Sequence, residues 1–175
     1  RRSSDLRTLS RDDILHHLPA LSEILASCVN GGASVSFMLP FAPQTAITFW
    51  QRTADSVAAG ERIVLSAFDA EERPVGTVQL ITSQPENQPH RADVAKLLVH
   101  QNVRRKGIAQ ALMSELERIA RRERKTVLVL DTATGSGAEQ FYARCGWEKV
   151  GEIPRYALMP DGEMTATSLF YKFLP

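Results

Sequence analysis

Apolar residues Ile14, Leu15, Leu18, Leu21, Ile24, Leu25 and Cys28 recur at helical spacing behind Ser10 and Asp13, a pair that reads as a capped helix start. Pro19 must kink that helix or restart it, and the Asn-Gly-Gly run at 30–32 stops it. A second helix is predicted from Pro43, at its first turn, to Gly60, past its end, with Ile47, Trp50, Ala54 and Val57 on one face. The period then changes. "RIVLSAF" (62–68) and "VGTVQLI" (75–81) are β-branched runs around a charged, proline-bearing turn, the pattern of a hairpin. "ADVAKLLV" (92–99) is a third strand, alternating at first and leaving through an apolar run of the kind buried on both faces. Gly107 to Arg122 follows as an amphipathic helix with Ile108, Leu112, Leu116 and Ile119 as its inner stripe. "TVLVLDT" (126–132) reads as a buried strand and "GSGAEQFYARCGW" (135–147) as a short helix ending at Gly146. "WEKVGEI" (147–153) and "ATSLFYKFL" (166–174) read as two closing strands.

The order predicted is helix, helix, hairpin, strand, helix, strand, helix, strand, strand. A strand-helix-strand unit over 92–131 favours a parallel pair, since such crossovers return the second strand beside the first in the same direction. The fold expected is therefore α/β, a mixed sheet covered by helices on both faces. At 175 residues the chain fits one domain, 1–175. No apolar run approaches the roughly 20 residues of a membrane span, and "RRSSDLRTLSRDD" lacks the apolar centre of a secretory signal, so a cytoplasmic protein without a membrane partner is expected. Twenty-one Lys and Arg against twenty Asp and Glu argue against a nucleic-acid partner bound across the whole surface. Cys28 and Cys145 lie far apart in apolar helical contexts and read as reduced packing residues, and nothing in the His, Cys and Asp spacing calls for a metal.

The most informative stretch is "LLVHQNVRRKGIAQALMSEL" (97–116), where a buried-looking strand runs into three cations, a glycine and a helix. The first N–H groups of a helix have no internal partner, and the aligned peptide dipoles leave positive charge there. Gly107 lets a ligand approach the backbone, Ala109 does nearly the same, and Arg104, Arg105 and Lys106 add side-chain charge. The composite suits a phosphate group, although three cations that merely solvate a turn would give the same string. Neither the GxxxxGK pattern of a P-loop nor the GxGxxG of a dinucleotide fold is present.

Arg104, Gly107 and Ala109 match the Gln/Arg-x-x-Gly-x-Gly/Ala signature of the Gcn5-related N-acetyltransferases (GNAT), and "FYARCGW" (141–147) is similar to that family's second signature. The resemblance covers essentially the whole chain. It implies a mixed, mostly antiparallel sheet of about six to seven strands, flanked by about four helices. The central parallel pair would splay to admit the pantetheine arm of acetyl-CoA. It implies that Arg104 to Ala109, including Ile108, hold the pyrophosphate, that a backbone N–H around Leu98 and Val99 meets the oxyanion, and that Ser136, Ala138 and Phe141 line the cofactor groove. A narrower likeness is to the tabtoxin-resistance acetyltransferases, carried by "GGASVSFM" (31–38), "HRADVAKLLV" (90–99), "LDTATGSGAEQFY" (130–142) and "VGEIPRYALMPDG" (150–162). Those acetylate a β-lactam antimetabolite on its free amine. Where many GNAT members have an Asn before the last helix, this chain has Gly135 and Ser136.

Acetyl transfer to an amine needs the amine deprotonated, because an alkylammonium of pKa about 10 is no nucleophile at neutral pH. It also needs a proton for the departing thiolate. Tyr142 is the candidate acid, against the reading that it merely packs its ring. Asp131 and Asp93 are the candidate bases, with Glu139 behind them: Asp131 ends a buried strand, where a carboxylate is costly unless paired or functional, and alternation turns Asp93 away from Val94. The alternative for Asp131 is a turn cap before "TATGSG". His100 reads as a solvated strand end, Trp50, Phe49 and Phe37 as core, and the linker "GGASVSFMLPF" and the segment "RYALMPDGEM" as candidate specificity loops. The function expected is transfer of an acetyl group to a small-molecule amine, with protein or peptide acetylation, or a non-catalytic acyl-CoA sensor, as the other readings. A homodimer through the last strands is also open.

Overall fold

The computed structural model describes residues 5–175; the expected domain of 1–175 includes residues 1–4, which lie outside the described ones. The first element is a strand that the hydrophobic pattern does not predict. β1 (Asp5–Leu9) buries only Leu9, so five residues give no period of two to read. It exists through antiparallel pairing with β2 (Arg62–Phe68), Asp5 opposite Phe68. Ser10 then caps α1 (Arg11–His16) in a reciprocal box: the Asp13 N–H donates to Ser10 Oγ at 3.1 Å and the Ser10 N–H to the Asp13 carboxylate at 2.9 Å. Pro19 restarts the helix. After His17 the chain begins α2 (Leu18–Asn30) with the proline in its first turn, where its missing N–H has no helical partner to lose. α3 (Pro43–Ala58) is fixed to α2 by Trp50, fully buried, whose indole N–H donates to Leu21 O at 2.9 Å.

The remaining elements are β3 (Pro74–Ile81), β4 (Arg91–Val99), α4 (Ile108–Arg122), β5 (Val127–Ala133), α5 (Gly137–Arg144), β6 (Glu148–Leu158) and β7 (Met164–Phe173). The strands form one sheet in the order β1-β2-β3-β4-β5-β7-β6, antiparallel except for β4 and β5, the pair the crossover pattern predicts. One apolar layer, including Val78, Val94, Leu112, Leu116 and Leu128, lies between the sheet and α4 and α5. The other, including Leu25, Trp50, Val64 and Leu98, lies between the sheet and α1 to α3. This is the expected mixed α/β sheet with helices on both faces.

β6 runs further than its pattern. Pro154 ends the readable alternation, yet the strand absorbs Pro154 and left-handed Arg155 (φ +53) in a register shift between Ile153 and Ala157. An edge strand tolerates this, because a proline there leaves no central ladder unfilled. The first four residues of the segment expected as a loop at 155–164 are therefore strand, and the turn is confined to 159–163, where the Met159 N–H donates to Glu163 O at 2.7 Å.

Two features place the site. The parallel pair is joined only at its start, Arg91–Asp93 against Val127–Val129. Beyond that, β4 bulges: Lys96 has φ +55, and the register against β3 slips between Thr77 and Gln79. Past the bulge β4 stays with β3 while β5 stays with β7, so the two parallel strands part and leave a gap in mid-sheet.

Candidate active site

The gap opens into two cavities that meet. One, of about 590 Å³, is walled by the end of β4, the loop before α4, the first turn of α4 and the face of α5. The other, of about 550 Å³, lies between the linker after α2, the bulge of β4, the end of β5 and the β6–β7 hairpin. Leu97, Ala138 and Tyr142 line both. They mark the point where groups entering from the two sides would touch.

The first cavity is rimmed by left-handed backbone at the start of α4. Arg105 (φ +65) and Gly107 (φ +77) are both left-handed, turns that aim successive N–H groups into a concavity at the start of α4. A Cβ added at Gly107 meets no protein atom within 4 Å, so the backbone there is open to a ligand in the cavity it lines. Gly137, the first residue of α5, faces equally open space on the same cavity. Of the residues expected at the cofactor, Val99, Arg104, Arg105, Gly107, Ile108, Ala109, Ala138 and Phe141 line this one cavity. Lys106 is exposed outside its wall, and Ser136 lines the second cavity instead, its hydroxyl donating to Ala133 O at 2.8 Å. Arg104 lies along the strand end, Nε donating to Val99 O at 3.3 Å and Nη2 reaching Cys28 Sγ at 3.8 Å.

Of the expected donor pair, Val99 turns its N–H into the gap and Leu98 does not. The His100 N–H donates to Val75 O at 2.9 Å, so by alternation the Leu98 N–H also turns to β3, while those of Leu97 and Val99 turn into the gap. Leu98 belongs with its side chain to the α1–α3 core, 1% exposed. Leu97 was missed because the bulge reverses the facing of every residue beyond it, and a bulge leaves no local signal in "AKLLV".

Tyr142 is 8% exposed and sits where the cavities join. Burial, assisted by Cys145 and Asp131, pushes its phenol up to about 12. Asp131 lines the second cavity, one carboxylate oxygen accepting from Thr167 Oγ1 at 2.9 Å. Asp93 shares its face of the sheet but stands opposite Val129, in the part of the pair that remains closed. It is held there by Arg91 at 2.5 Å and Gln84 at 3.1 Å, away from both cavities. The structure thus does not bring the two aspartates together. Glu139 accepts from the Gly135 N–H at 2.7 Å and meets Lys149 at 3.2 Å; a Ser168 hydrogen bond, then that of Gly135, holds its carboxyl below the usual range. His100 is occupied by Glu23 at 3.5 Å and by the Asn102 N–H at 3.1 Å.

The linker does face the site: Gly32 to Ser36 and Met38 wall the second cavity, and the Leu39 N–H donates to Pro160 O at 2.9 Å, tying the linker to the β6–β7 hairpin. Lys96 also lines this cavity, and burial holds its ammonium below the usual value against the opposing pull of Asp131. It was missed in the sequence, where a lone lysine in an apolar strand is the signal that could have marked it. Cys28 and Cys145 are free thiols, both pushed up by burial, as packing residues are.

Residues 27–147, more than half of the chain, match the acetyltransferase (GNAT) family, and the chain belongs to that family. It is an acetyl-CoA-dependent acetyltransferase. Solved structures share the whole fold. A ribosomal-protein-alanine N-acetyltransferase from Brucella melitensis is 23% identical at a TM-score of 0.77, with 97% of this chain and 99% of that one covered. An N-acetyltransferase from Staphylococcus aureus Mu50 is 14% identical at 0.79, covering 99% and 100%. The protein yncA from Salmonella typhimurium, solved with its cofactor acetyl-CoA, is 16% identical at 0.78, covering 99% and 95%.

Proposed function

We propose that this acetyltransferase modifies the amine of a small molecule, with the meeting of the two cavities at Tyr142 as the observation that carries the reading. Acetyl-CoA, when bound, supplies an activated acetyl thioester. Gly107 to Ala109 receive the pyrophosphate on their N–H groups, with Arg105 adding charge beside them. The Leu97 and Val99 N–H groups face the gap and stabilise negative charge growing on the carbonyl oxygen. Asp131 takes the amine's proton directly or through water. As the N–C bond forms and the C–S bond breaks, one proton leaves the nitrogen and one reaches the sulfur.

Tyr142 enters as a donor, since a phenol at about 12 keeps its proton wherever an amine is nucleophilic. A free thiol sits near 8.5, so transfer would run uphill in water, but the burial that raises Tyr142 raises a thiolate beside it as well. Hydrogen bonding to the sulfur during cleavage is the contribution this favours.

The acceptor side supports a small substrate rather than a protein. The tie between Leu39 and Pro160 joins the linker to the hairpin, which favours a pocket over an open channel. The likeness of "GGASVSFM" and "HRADVAKLLV" to the tabtoxin-resistance acetyltransferases favours a β-lactam antimetabolite, with self-protection or resistance as the role. The test is free thiol released from acetyl-CoA across tabtoxinine-β-lactam, amino acids, aminoglycosides, polyamines and short peptides. Release with small amines is expected. Release with peptides alone moves the function to protein acetylation, and acetyl-CoA binding with no release anywhere makes the chain a sensor.

A further inference from the structure

Within the acceptor cavity one charged side chain has no part in the chemistry above. Lys96 stands in "VAKLLV" among apolar and small neighbours, with its backbone left-handed at φ +55. Across the cavity Ser36 is left-handed too, at φ +81, and Lys96 Nζ meets Ser36 Oγ at 3.3 Å. Two non-glycine residues in this conformation, joined to each other, are the kind of strain that gathers at ligand clamps. The Lys96 side chain is half-buried along its length, its tip meets Ser36 at the solvent-facing side of the cavity, and among the described residues it forms no salt bridge within 4.0 Å. A partly desolvated cation that lines a cavity without a carboxylate partner is a ready site for a bound anion.

The opposite charge is nearby. Asp131 lines the same cavity, attracts the Lys96 ammonium, and has one oxygen fixed by Thr167. Two opposite charges that face one pocket without pairing leave room for a ligand carrying both signs.

We propose that Lys96 and Asp131 form a zwitterion site: Lys96 binds the carboxylate of the acceptor, Asp131 receives its amine, and the substrate class is α-amino-acid-like. This rests on the small-molecule acetyl-transfer reading and narrows it. Ser36, on the linker, holds Lys96 in position, so the linker sets specificity through that contact.

The test compares free protein amino acids with their α-carboxamides, which keep the shape and lose the negative charge, using thiol release by the purified enzyme. The amide's amine is the less basic, so more of it is neutral near pH 7 and the comparison leans against the proposal. The acids are expected to show kcat/KM about 10- to 100-fold above their amides, the range of a charge-assisted hydrogen bond. Lys96→Met should erase that preference by raising KM for the acids alone, with KM for acetyl-CoA unchanged; Lys96→Arg should retain part of it. Amides used as well as acids, or a Lys96→Met loss in kcat equal for both, overturns the zwitterion site. Turnover of polyamines or aminoglycosides without preference for acids overturns it while the acetyl-transfer reading stands, and no turnover of any amine overturns both. If Lys96→Met fails to fold, the acid-to-amide ratio of the unaltered enzyme decides alone.

Discussion

Replacing Tyr142 by phenylalanine separates an acid from a ring that only packs. The ring contacts Phe141, Trp147 and Phe170 with centroids 5.3, 6.1 and 6.0 Å away, and phenylalanine keeps all three. The hydroxyl faces the junction of the cavities, and no hydrogen bond from described residues contributes to its raised pKa. Its removal therefore strands no buried partner, and stability should change by less than about 1 kcal/mol. A positioned acid contributes about 10²- to 10⁴-fold to rate, or roughly 3 to 5 kcal/mol of barrier. The expected signature is a kcat loss of about two to four decades with an unchanged urea midpoint and unchanged KM for acetyl-CoA. The alkaline arm of the profile adds a second reading. The phenol's folded value, about 12, lies above its ordinary 10, so its donor form persists throughout the range where amines become neutral. The unaltered enzyme should gain rate as pH rises and show no fall near pH 10 from this residue. The same shift stabilises the fold fully below pH about 10, and that contribution, roughly 3 kcal/mol at most, is lost as pH climbs through 10 to 12. A Tyr142→Phe enzyme with full kcat, or one that merely unfolds earlier, would refute the acid assignment.

Asp131→Asn keeps an acceptor for Thr167 but loses the charge, and should lower kcat/KM for the amine at least about 10-fold at neutral pH, whereas Asp93→Asn should leave turnover unchanged. Asp93 is 39% exposed in its pair with Arg91, so its loss should cost no more than about 1 kcal/mol in urea melts. Gly107→Val forces a β-branched residue to φ +77 at about 1–2 kcal/mol and sets its side chain in the groove; KM for acetyl-CoA should rise more than about 10-fold while the amine's changes little. Trp50→Ala removes a fully buried ring and its bond to Leu21 O, and should destabilise by about 3–5 kcal/mol, read as a lowered urea midpoint.

The parts of the fold and site that the sequence made legible are those carried by local rules. Helix periodicity, the reciprocal cap at Ser10, the crossover after β4 and the glycine before α4 each act over a few residues, and each stands in the structure where the pattern puts it. β1 and the far half of β6 escaped because long-range pairing makes them: β1 has one buried side chain, and β6 carries Pro154 through a register shift only because β7 holds it. The two aspartates show the same divide within the site. Alternation turned Asp93 away from Val94, but register sets Asp93 beside Val129 in the closed part of the pair, and Arg91, two residues earlier on the same face, captures it.

The bulge at Lys96 carries this further. A single left-handed residue turns Leu97 and Val99 toward the cofactor side and Leu98 into the opposite core, and it delivers an ammonium to the acceptor cavity. One irregularity therefore makes the gap, orients the N–H donors and places a cation for the substrate. A change that straightened β4, such as deleting one residue of "AKLL", would remove all three together.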